Sequence, residues 1–256
     1  MTESAADLVA VAMDYPFDRP GHSYLFADGE ALALADGSES GLDDVLQQKG
    51  AAPMHARTAV LAYGANSAPS RLWRKFSAQA QSAVFPVLNA RLHDFDIVYA
   101  CHYSSYGALP ATPAPSPGTV VDIAVTYLDR GQLVRMHETE LPSQNYVFGR
   151  LDGLTLEIGE LGGMDAVHSY WSRHGSFAAN GGPLALSAIV AEGRRFAVSA
   201  QVQAQSRARD QLAPGRDLHE FVAEHAADPV LRRVRSLALG ATARLFDYPH
   251  CEIIAD

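Results

Sequence analysis

The most suggestive chemistry in the chain lies where an apolar run ends in a glycine and a helix begins. Residues Thr58–Tyr63 form a short, β-prone run that is long enough for one buried strand. Gly64 allows a turn, because glycine adopts backbone conformations that strain other residues. Asn66 or Ser67 can cap the following helix, and Pro69 suits its first turn. Such a turn presents free backbone N–H groups, which can bind an anion or a developing oxyanion.

The same pattern is also typical of an ordinary strand–turn–helix connection without any binding role. The predicted helix covers residues 68–81, where Leu72, Phe76 and Ala80 recur at a spacing of four. The spacing alone therefore leaves both interpretations open.

A resemblance to a known family favours the functional interpretation. Residues 63–67, Tyr-Gly-Ala-Asn-Ser, are called the signature below. Together with the following Arg71-Leu72, the signature resembles the Tyr-Gly-Ser-Asn motif of the γ-glutamyl cyclotransferase family, which ends the first strand and precedes an Arg-Leu or Arg-Met pair. Serine is usual in that family where this chain has alanine. The resemblance implies that the signature binds substrate, and its residues are Tyr63, Gly64, Ala65, Asn66 and Ser67.

The resemblance continues through the middle of the chain and covers about residues 58–160. Residues 90–95 resemble the family's "Arg-Leu-x-Gly-Phe" strand, with Asp94 in place of glycine. Residues 107–118 resemble its "Gly-x-Ala-Thr…Pro-x-Pro-Gly" loop, and Asp122-Ile123 replaces a glycine in the next strand.

The same family places its general acid/base in a "Leu-Asp-x-x-Glu…Tyr" stretch. On this chain, Met136 and His137 take the Leu-Asp places, and Glu140 takes the place of the catalytic glutamate. Tyr146 then takes the place of the tyrosine and is expected to form a wall of the substrate site. Glu138 is the alternative acid if the register shifts by two residues.

The activity implied is the cyclisation of a γ-glutamyl amide or dipeptide, which releases 5-oxoproline and an amine or amino acid. One carboxylate can deprotonate the attacking amine and protonate the leaving amine, if partial burial raises its pKa towards neutrality. Ring closure is intramolecular, so positioning contributes much of the rate. No metal, nucleotide or other cofactor is required, and the expected partner is a small-molecule γ-glutamyl substrate.

The fold expected from this resemblance is α+β, with a small, mostly antiparallel β-barrel and peripheral helices. The core is predicted at residues 58–160, with an N-terminal extension at 1–57 packed on it and a C-terminal α/β extension at 161–256 in the same globule. The extensions could cover the pocket or form a homodimer interface. Tyr15-Pro16-Phe17 and Ser23–Phe26 indicate short strands or an ordered arm packed on the core.

Local patterns predict the remaining elements. Strands are expected at Phe85–Leu92, Phe95–Cys101 and Thr119–Leu128, and helices at Leu42–Gln48, Asp217–Ala226 and Asp228–Leu239. Four prolines between Leu109 and Gly118 indicate an extended loop. Tyr146–Leu151 and Leu154–Ile158 suggest a hairpin around Asp152-Gly153, and Gly162–Trp171 suggests a helix. Leu184–Gln205 fits a hairpin or two short helices, and its apolar–polar alternation favours the hairpin.

Composition excludes several classes of protein. The net charge of −9 over 256 residues argues against non-specific binding to nucleic acid or anionic membranes. Cys101 and Cys251 make no disulfide framework. The start of the chain lacks a signal peptide, and no apolar run is long enough for a membrane span, so the expected location is cytoplasmic. His219 and His225 are six residues apart, a spacing that does not fit a helical zinc motif.

Two other functions remain open on the same fold. Ala65, Asp122 and His137 depart from the family pattern, which fits a small-molecule-binding or partner-binding protein that has lost catalysis. An amide hydrolase acting on another substrate through the same glutamate would release a product that contains no cyclised acid.

Overall fold

The computed structural model describes residues 4–34, 41–77, 83–179 and 181–256. The end of the helix predicted at residues 68–81 lies outside these ranges from residue 78 onward. The helices are α1 (Ala5–Met13), α2 (Leu42–Gln48), α3 (Pro69–Phe76), α4 (Arg130–Glu140), α5 (Gln201–Leu212), α6 (Leu218–Ala227) and α7 (Pro229–Gly240). The strands are β1 (Tyr24–Ala27), β2 (Glu30–Ala33), β3 (Thr58–Ala62), β4 (Val84–Tyr99), β5 (Ala111–Leu128), β6 (Tyr146–Ile158), β7 (Gly162–Ser172), β8 (Ala178–Ala179), β9 (Gly182–Leu186), β10 (Ala191–Glu192), β11 (Ala197–Ser199) and β12 (Cys251–Ala255).

Five strands form a closed ring of hydrogen-bonded neighbours. The order is β5–β3–β7–β6–β4, and β4 pairs again with β5, which closes the barrel. The β3–β7 pair is parallel, whereas the other four pairs are antiparallel. Closure removes free edges from the ring and leaves an apolar interior, where Leu61, Leu92, Ile97, Val125 and Leu156 are buried. The α+β fold with a mostly antiparallel barrel is therefore confirmed.

The segments before and after residues 58–160 add strands to the same sheet. Strand β1 pairs with β4, and β12 pairs with β6. The N-terminal helix α1 packs against α6. The expectation of ordered structure near Ser23–Phe26 is confirmed, since β1 begins at Tyr24. Among the described residues, no helix has the length and apolar character needed to cross a bilayer.

The prediction of a hairpin and a helix at residues 146–171 is wrong. Strand β6 runs continuously from Tyr146 to Ile158, and its pairing with β7 shifts register between Asp152 and Leu156. The chain reverses instead at Gly159–Leu161 and continues as β7, not as a helix. Gly153 has a φ of 67°, so the glycine signal produces an irregularity within the strand rather than a turn.

The proline-rich segment, predicted as a loop, is also a strand. Pro113 and Pro115 lie in β5 opposite Ile97 and Phe95 of β4. Successive residues of a strand direct their N–H groups to opposite edges, so prolines two residues apart omit donors on the same edge. The intervening residues can therefore pair with β4, and the alternate spacing of the prolines permits the strand.

Other predictions have mixed outcomes. The helices predicted at Leu42–Gln48, Asp217–Ala226 and Asp228–Leu239 are confirmed within one residue at each end. The hairpin predicted in Leu184–Gln205 is wrong, because β9 and β11 are parallel and α5 follows.

The two strands predicted at 85–101 form the single strand β4, with an irregularity near Asp94. The residue that precedes α3 is Ala68, so the expected cap by Asn66 or Ser67 is wrong, although Pro69 does occupy the first turn.

Candidate functional site

A cavity of about 300 Å³ opens between the turn after β3, the helices α3 and α4, and the loop that follows β4. Four of the five signature residues line it, namely Tyr63, Gly64, Ala65 and Asn66. Glu140 and Tyr146 line the same cavity. The structure thus brings together residues that are more than 70 positions apart in the sequence.

Ser67, the fifth signature residue, holds the turn instead of lining the cavity. Its hydroxyl donates to the Gly64 carbonyl at 2.8 Å, and its own carbonyl accepts from the Tyr24 hydroxyl at 2.8 Å. Residues Ala65–Ser67 form one turn of 3-10 helix, closed by the Ser67 N–H on the Gly64 carbonyl. The Ser67 side chain is buried, and its hydroxyl holds the turn on which the four cavity-lining residues lie.

The turn leaves backbone donors without acceptors. The N–H groups of Ala65 and Asn66 donate to no atom within the described ranges. The first N–H groups of a helical turn lack partners because no residue precedes them in the helix. Both residues line the cavity, so the turn can supply donors to a bound anion.

Glu140 lies at the end of α4, and α4 is fixed against α3. The Arg135 guanidinium donates to the Lys75 carbonyl at 2.6 Å. The Glu140 oxygen Oε1 accepts from the Lys75 ammonium and, at 3.1 Å, from the Asn66 side-chain amide. The other oxygen, Oε2, accepts no hydrogen bond from any residue that the structure describes. The carboxylate is therefore held by one oxygen and has the other available.

The alternative acid, Glu138, lies away from the cavity. Its side chain is 57% exposed and pairs with Arg135 at 3.0 Å. Glu140, in contrast, is 15% exposed. Of the two candidate acids, Glu140 therefore lines the cavity and Glu138 lies outside it.

Two tyrosines contact opposite sides of the same residue of β5. The Tyr146 hydroxyl donates to the Ala111 carbonyl at 3.0 Å. The Ala111 N–H donates to the hydroxyl oxygen of Tyr15 at 2.7 Å. Burial raises the pKa of Tyr146, so its hydroxyl stays protonated and continues to donate its hydrogen bond to the Ala111 carbonyl.

The residues that depart from the family pattern lie mostly outside the cavity. Asp122 is half exposed and pairs with Arg91. His137 contacts the Tyr170 hydroxyl through Nδ1 at 2.7 Å. Of the three, Ala65 lines the cavity. Since a backbone N–H does not depend on the side chain, alanine at position 65 keeps that donor.

A buried histidine that the sequence did not single out as a site residue also lines the cavity. His102 is fully buried, and its Nδ1 lies 3.1 Å from the Ser172 hydroxyl. Desolvation, assisted by His174, lowers the pKa of His102 to about 3. His102 is therefore neutral near pH 7 and acts as a polar wall without charge.

Charge at the cavity favours an anion. Arg71, Arg74 and Lys75 contribute cationic groups, against the single carboxylate of Glu140 among the described lining residues. The Arg71 guanidinium lies over the rings of Phe17 and Tyr106, at 4.4 and 4.5 Å from their centroids. This stacking fixes the cation without neutralising it.

Within the described ranges, no group of three or more histidine, cysteine, aspartate or glutamate side chains is arranged to hold a metal ion. His225, one half of the zinc pattern that the sequence analysis set aside, is buried and contacts the Gly107 carbonyl at 2.9 Å.

Sequence reasoning missed several residues of the cavity. Tyr15 comes from the N-terminal extension, and His102 and Tyr106 come from the loop after β4. The aromatic residues at 15 and 17 were the available signal, but nothing local indicated where they pack. Lys75 lies within the predicted helix, and its spacing of four from Arg71 could have indicated a shared face.

Comparisons with known proteins give weak matches. No family model matches the chain, and no curated protein matches it. The solution structure of a protein from Arabidopsis thaliana matches with 15% identity and a TM-score of 0.33, over 45% of this chain and 62% of that one, which is less than two thirds. An uncharacterized protein from Homo sapiens and a structure described as a γ-glutamyl cyclotransferase each match with 16% identity and a TM-score of 0.36, over 75% of this chain and 91% of theirs.

Proposed function

We propose that the protein is a γ-glutamyl cyclotransferase-like enzyme, which releases 5-oxoproline and an amine or amino acid from a γ-glutamyl amide or dipeptide. The observation that carries this proposal is the shared cavity of Glu140 and the signature turn, where the Asn66 amide lies 3.1 Å from the Glu140 carboxylate. The resemblance of Tyr63–Ser67 and Glu140 to the family motifs supplies the reaction.

In this proposal Glu140 acts as the general acid/base through its available oxygen, Oε2. The carboxylate takes a proton from the α-ammonium group of the substrate, and the amine nitrogen attacks the γ-carbonyl carbon. A C–N bond forms within the five-membered ring, and the proton passes from Glu140 to the leaving nitrogen as the original amide bond breaks. The ring nitrogen then gives its second proton to the carboxylate, and the released amine takes that proton and leaves as an ammonium ion. The chemistry needs no external oxidant or reductant.

The signature turn and the cationic rim then have separate tasks. The N–H groups of Ala65 and Asn66 are suited to stabilise the oxyanion on the γ-carbonyl oxygen. The positive charge from Arg71 and Arg74 is suited to the α-carboxylate of the γ-glutamyl group. Tyr146, whose hydroxyl is bound to Ala111, serves as a wall.

The direct test is 5-oxoproline release from a panel of γ-glutamyl dipeptides and γ-glutamyl amines. Glu140→Gln removes the proton carrier and keeps the shape, so turnover should fall by about 10²–10⁴-fold. Glu138→Gln is the matched control, because this exposed glutamate lies two residues away and outside the cavity. Equal rates for wild type and Glu140→Gln would remove Glu140 from the mechanism.

A second candidate function is favoured by the Lys75–Glu140 ion pair, which engages one oxygen of the carboxylate. A binding protein that has lost catalysis would keep this pair and the cationic rim. Such a protein would bind γ-glutamyl compounds in calorimetry and release no 5-oxoproline. An amide hydrolase using the same glutamate would instead release free glutamate, which the same product assay distinguishes.

A further inference from the structure

The N-terminal extension delivers a tyrosine to the cavity. Tyr15 follows α1, is 6% exposed, and lines the cavity beside the signature turn. It precedes the turn by almost fifty residues and belongs to a segment for which the sequence indicated no chemical role.

The hydroxyl of Tyr15 lies directly against the turn. A Cβ atom built at Gly64 would collide with the Tyr15 hydroxyl oxygen. Gly64 has a φ of −140°, so close approach, not a left-handed backbone, explains the glycine. The hydroxyl thus occupies space beside the backbone that supplies the proposed oxyanion donors.

The hydrogen bonds of Tyr15 leave its proton without an acceptor. The hydroxyl oxygen accepts the Ala111 N–H at 2.7 Å, and the hydroxyl donates to no atom of the described residues. Tyr146 differs, because its hydroxyl donates to the Ala111 carbonyl. Of these two cavity tyrosines, Tyr15 is the one with a hydrogen free for a ligand.

The ring of Tyr15 is held in place by its neighbours. It packs edge-on to Phe17 at 5.9 Å and stacks on Tyr106 at 6.4 Å, measured between ring centroids. The Arg71 guanidinium lies over the rings of Phe17 and Tyr106. Fixed donors stabilise developing charge better than mobile ones, because no reorganisation is needed during the reaction.

The Tyr15 hydroxyl keeps its proton at all working pH values. Desolvation raises the pKa of Tyr15 well above its ordinary value, and the nearby Tyr106 adds to this effect. The group is therefore a neutral donor rather than a base.

We propose that Tyr15 donates its hydroxyl hydrogen to the γ-carbonyl oxygen of the substrate and stabilises the oxyanion together with the signature turn. This inference rests on the proposed function and extends it, since it makes the N-terminal extension a part of the active site. Tyr15 forms no covalent bond and transfers no proton; the proton from the α-ammonium group still passes through Glu140.

The test is the kinetics of Tyr15→Phe with the substrate on which the wild type is most active. The variant keeps the ring packing and loses the hydroxyl, so kcat should fall by about 10²–10³-fold, as for loss of one oxyanion donor. KM should change by less than about threefold, because the donor acts mainly on the transition state. A merely structural role would lower the folded fraction or raise KM without this loss of kcat.

Tyr99→Phe is the matched control. The Tyr99 hydroxyl is also buried and donates to a backbone carbonyl, that of Ser199 at 3.1 Å, but Tyr99 does not line the cavity. Circular dichroism melting of both variants corrects for any loss of folded protein, including the effect of leaving the Ala111 N–H without its acceptor.

The outcomes separate this inference from the proposed function. An active wild type with kcat of Tyr15→Phe within about twofold of Tyr99→Phe overturns the role of Tyr15 and leaves the function standing. A wild type that releases no 5-oxoproline from any substrate of the panel overturns both. A large loss of kcat in Tyr15→Phe with normal KM and normal folding supports the inference.

Discussion

Lys75 and Glu140 form an ion pair across the gap between α3 and α4, at the edge of the cavity. Both side chains are largely buried, with 16% and 15% of their surfaces exposed. Lys75 is one of two lysines in a chain whose other cationic side chains are arginines. The compact ammonium of lysine engages one oxygen of Glu140 and leaves the other available, whereas the planar, forked guanidinium of arginine matches both oxygens of a carboxylate. Lysine and arginine are therefore not equivalent at position 75.

Replacing Lys75 should impair turnover more than folding. In Lys75→Met the carboxylate loses one of its two restraints, and we expect kcat to fall by about tenfold or more with a smaller change in KM. Lys75→Arg keeps the charge and should recover part of the rate. Lys49→Met, at the exposed end of α2, is the control. Full activity of Lys75→Met in steady-state kinetics would show that the pair does not position Glu140.

Local sequence chemistry predicted the elements whose limits are set locally. Asp217 and Asp228 accept hydrogen bonds from the first N–H groups of α6 and α7, as their residue types indicated. Strand β7 was predicted as a helix for two reasons. Its partner β3 is distant in sequence, and the turn that joins β6 to β7 was predicted at Asp152-Gly153 instead of Gly159–Leu161. Its extended form depends on pairing with β3 as well as with β6, and the β3 partner of His168 is Val60, which lies outside any local window.

In the candidate site, too, some residues were identified from the sequence and others are brought in only by tertiary packing. The signature turn and Glu140 were found through a family resemblance, and both line the cavity. Tyr15 and His102 were not assigned to the site, because packing of the N-terminal segment and of the loop after β4 brings them there. Ser67 was assigned to substrate, whereas its hydroxyl closes the turn on Gly64. A motif identifies the residues of a turn but not which side chains face inward.

Acid should destabilise the protein through His225. Its Nε2 lies 2.9 Å from the Gly107 carbonyl, and its Nδ1 lies 3.1 Å from the Arg235 guanidinium. Because the Arg235 guanidinium can only donate, Nδ1 of His225 must accept and carries no proton. The folded protein therefore favours the neutral form of His225. Desolvation is the largest cause that lowers the pKa of His225 to about 4.

The pH window follows from that lowered pKa. Above about pH 6.5 the histidine is neutral in the folded and unfolded states, and its contribution to stability is complete. Between about pH 6.5 and 4 the unfolded state binds the proton, so the free energy of unfolding falls as pH falls, by up to about 1.4 kcal/mol per pH unit. Urea unfolding at several pH values should show a shallower pH dependence in His225→Gln than in the wild type. The exposed His219→Gln should keep the wild-type slope, and an unchanged slope in His225→Gln would contradict the prediction.

The two cysteines should differ in reactivity. Cys101 is fully buried, its thiol contacts the Leu239 carbonyl, and burial raises its pKa to about 12. Cys251 is exposed on β12. Since the thiolate is the reactive form, an aromatic disulfide reagent should label one thiol in the native protein and two in denaturant. Cys251→Ser should show no rapid labelling, and a fast reaction in that variant would mean that Cys101 is accessible.

Gly64→Ala should be destabilising because of Tyr15. The added methyl group would overlap the Tyr15 hydroxyl, and the next contacts, with the Tyr15 ring carbon and the Ala111 methyl group, lie at 3.3 and 3.4 Å. We expect a cost of about 1–3 kcal/mol in the free energy of unfolding, measured with urea. Gly21→Ala is the control, because a methyl group there would meet no atom within 4 Å.

The double variant identifies the source of that cost. Tyr15→Phe removes the overlapping oxygen, so Gly64→Ala should be less costly in the Tyr15→Phe background than in the wild type, with a coupling of about 0.5–3 kcal/mol. Strict additivity of the two changes would mean that the hydroxyl does not lie against the turn. That result would also remove the geometric basis for Tyr15 as an oxyanion donor, because a hydroxyl displaced from Gly64 could not act together with the N–H groups of Ala65 and Asn66.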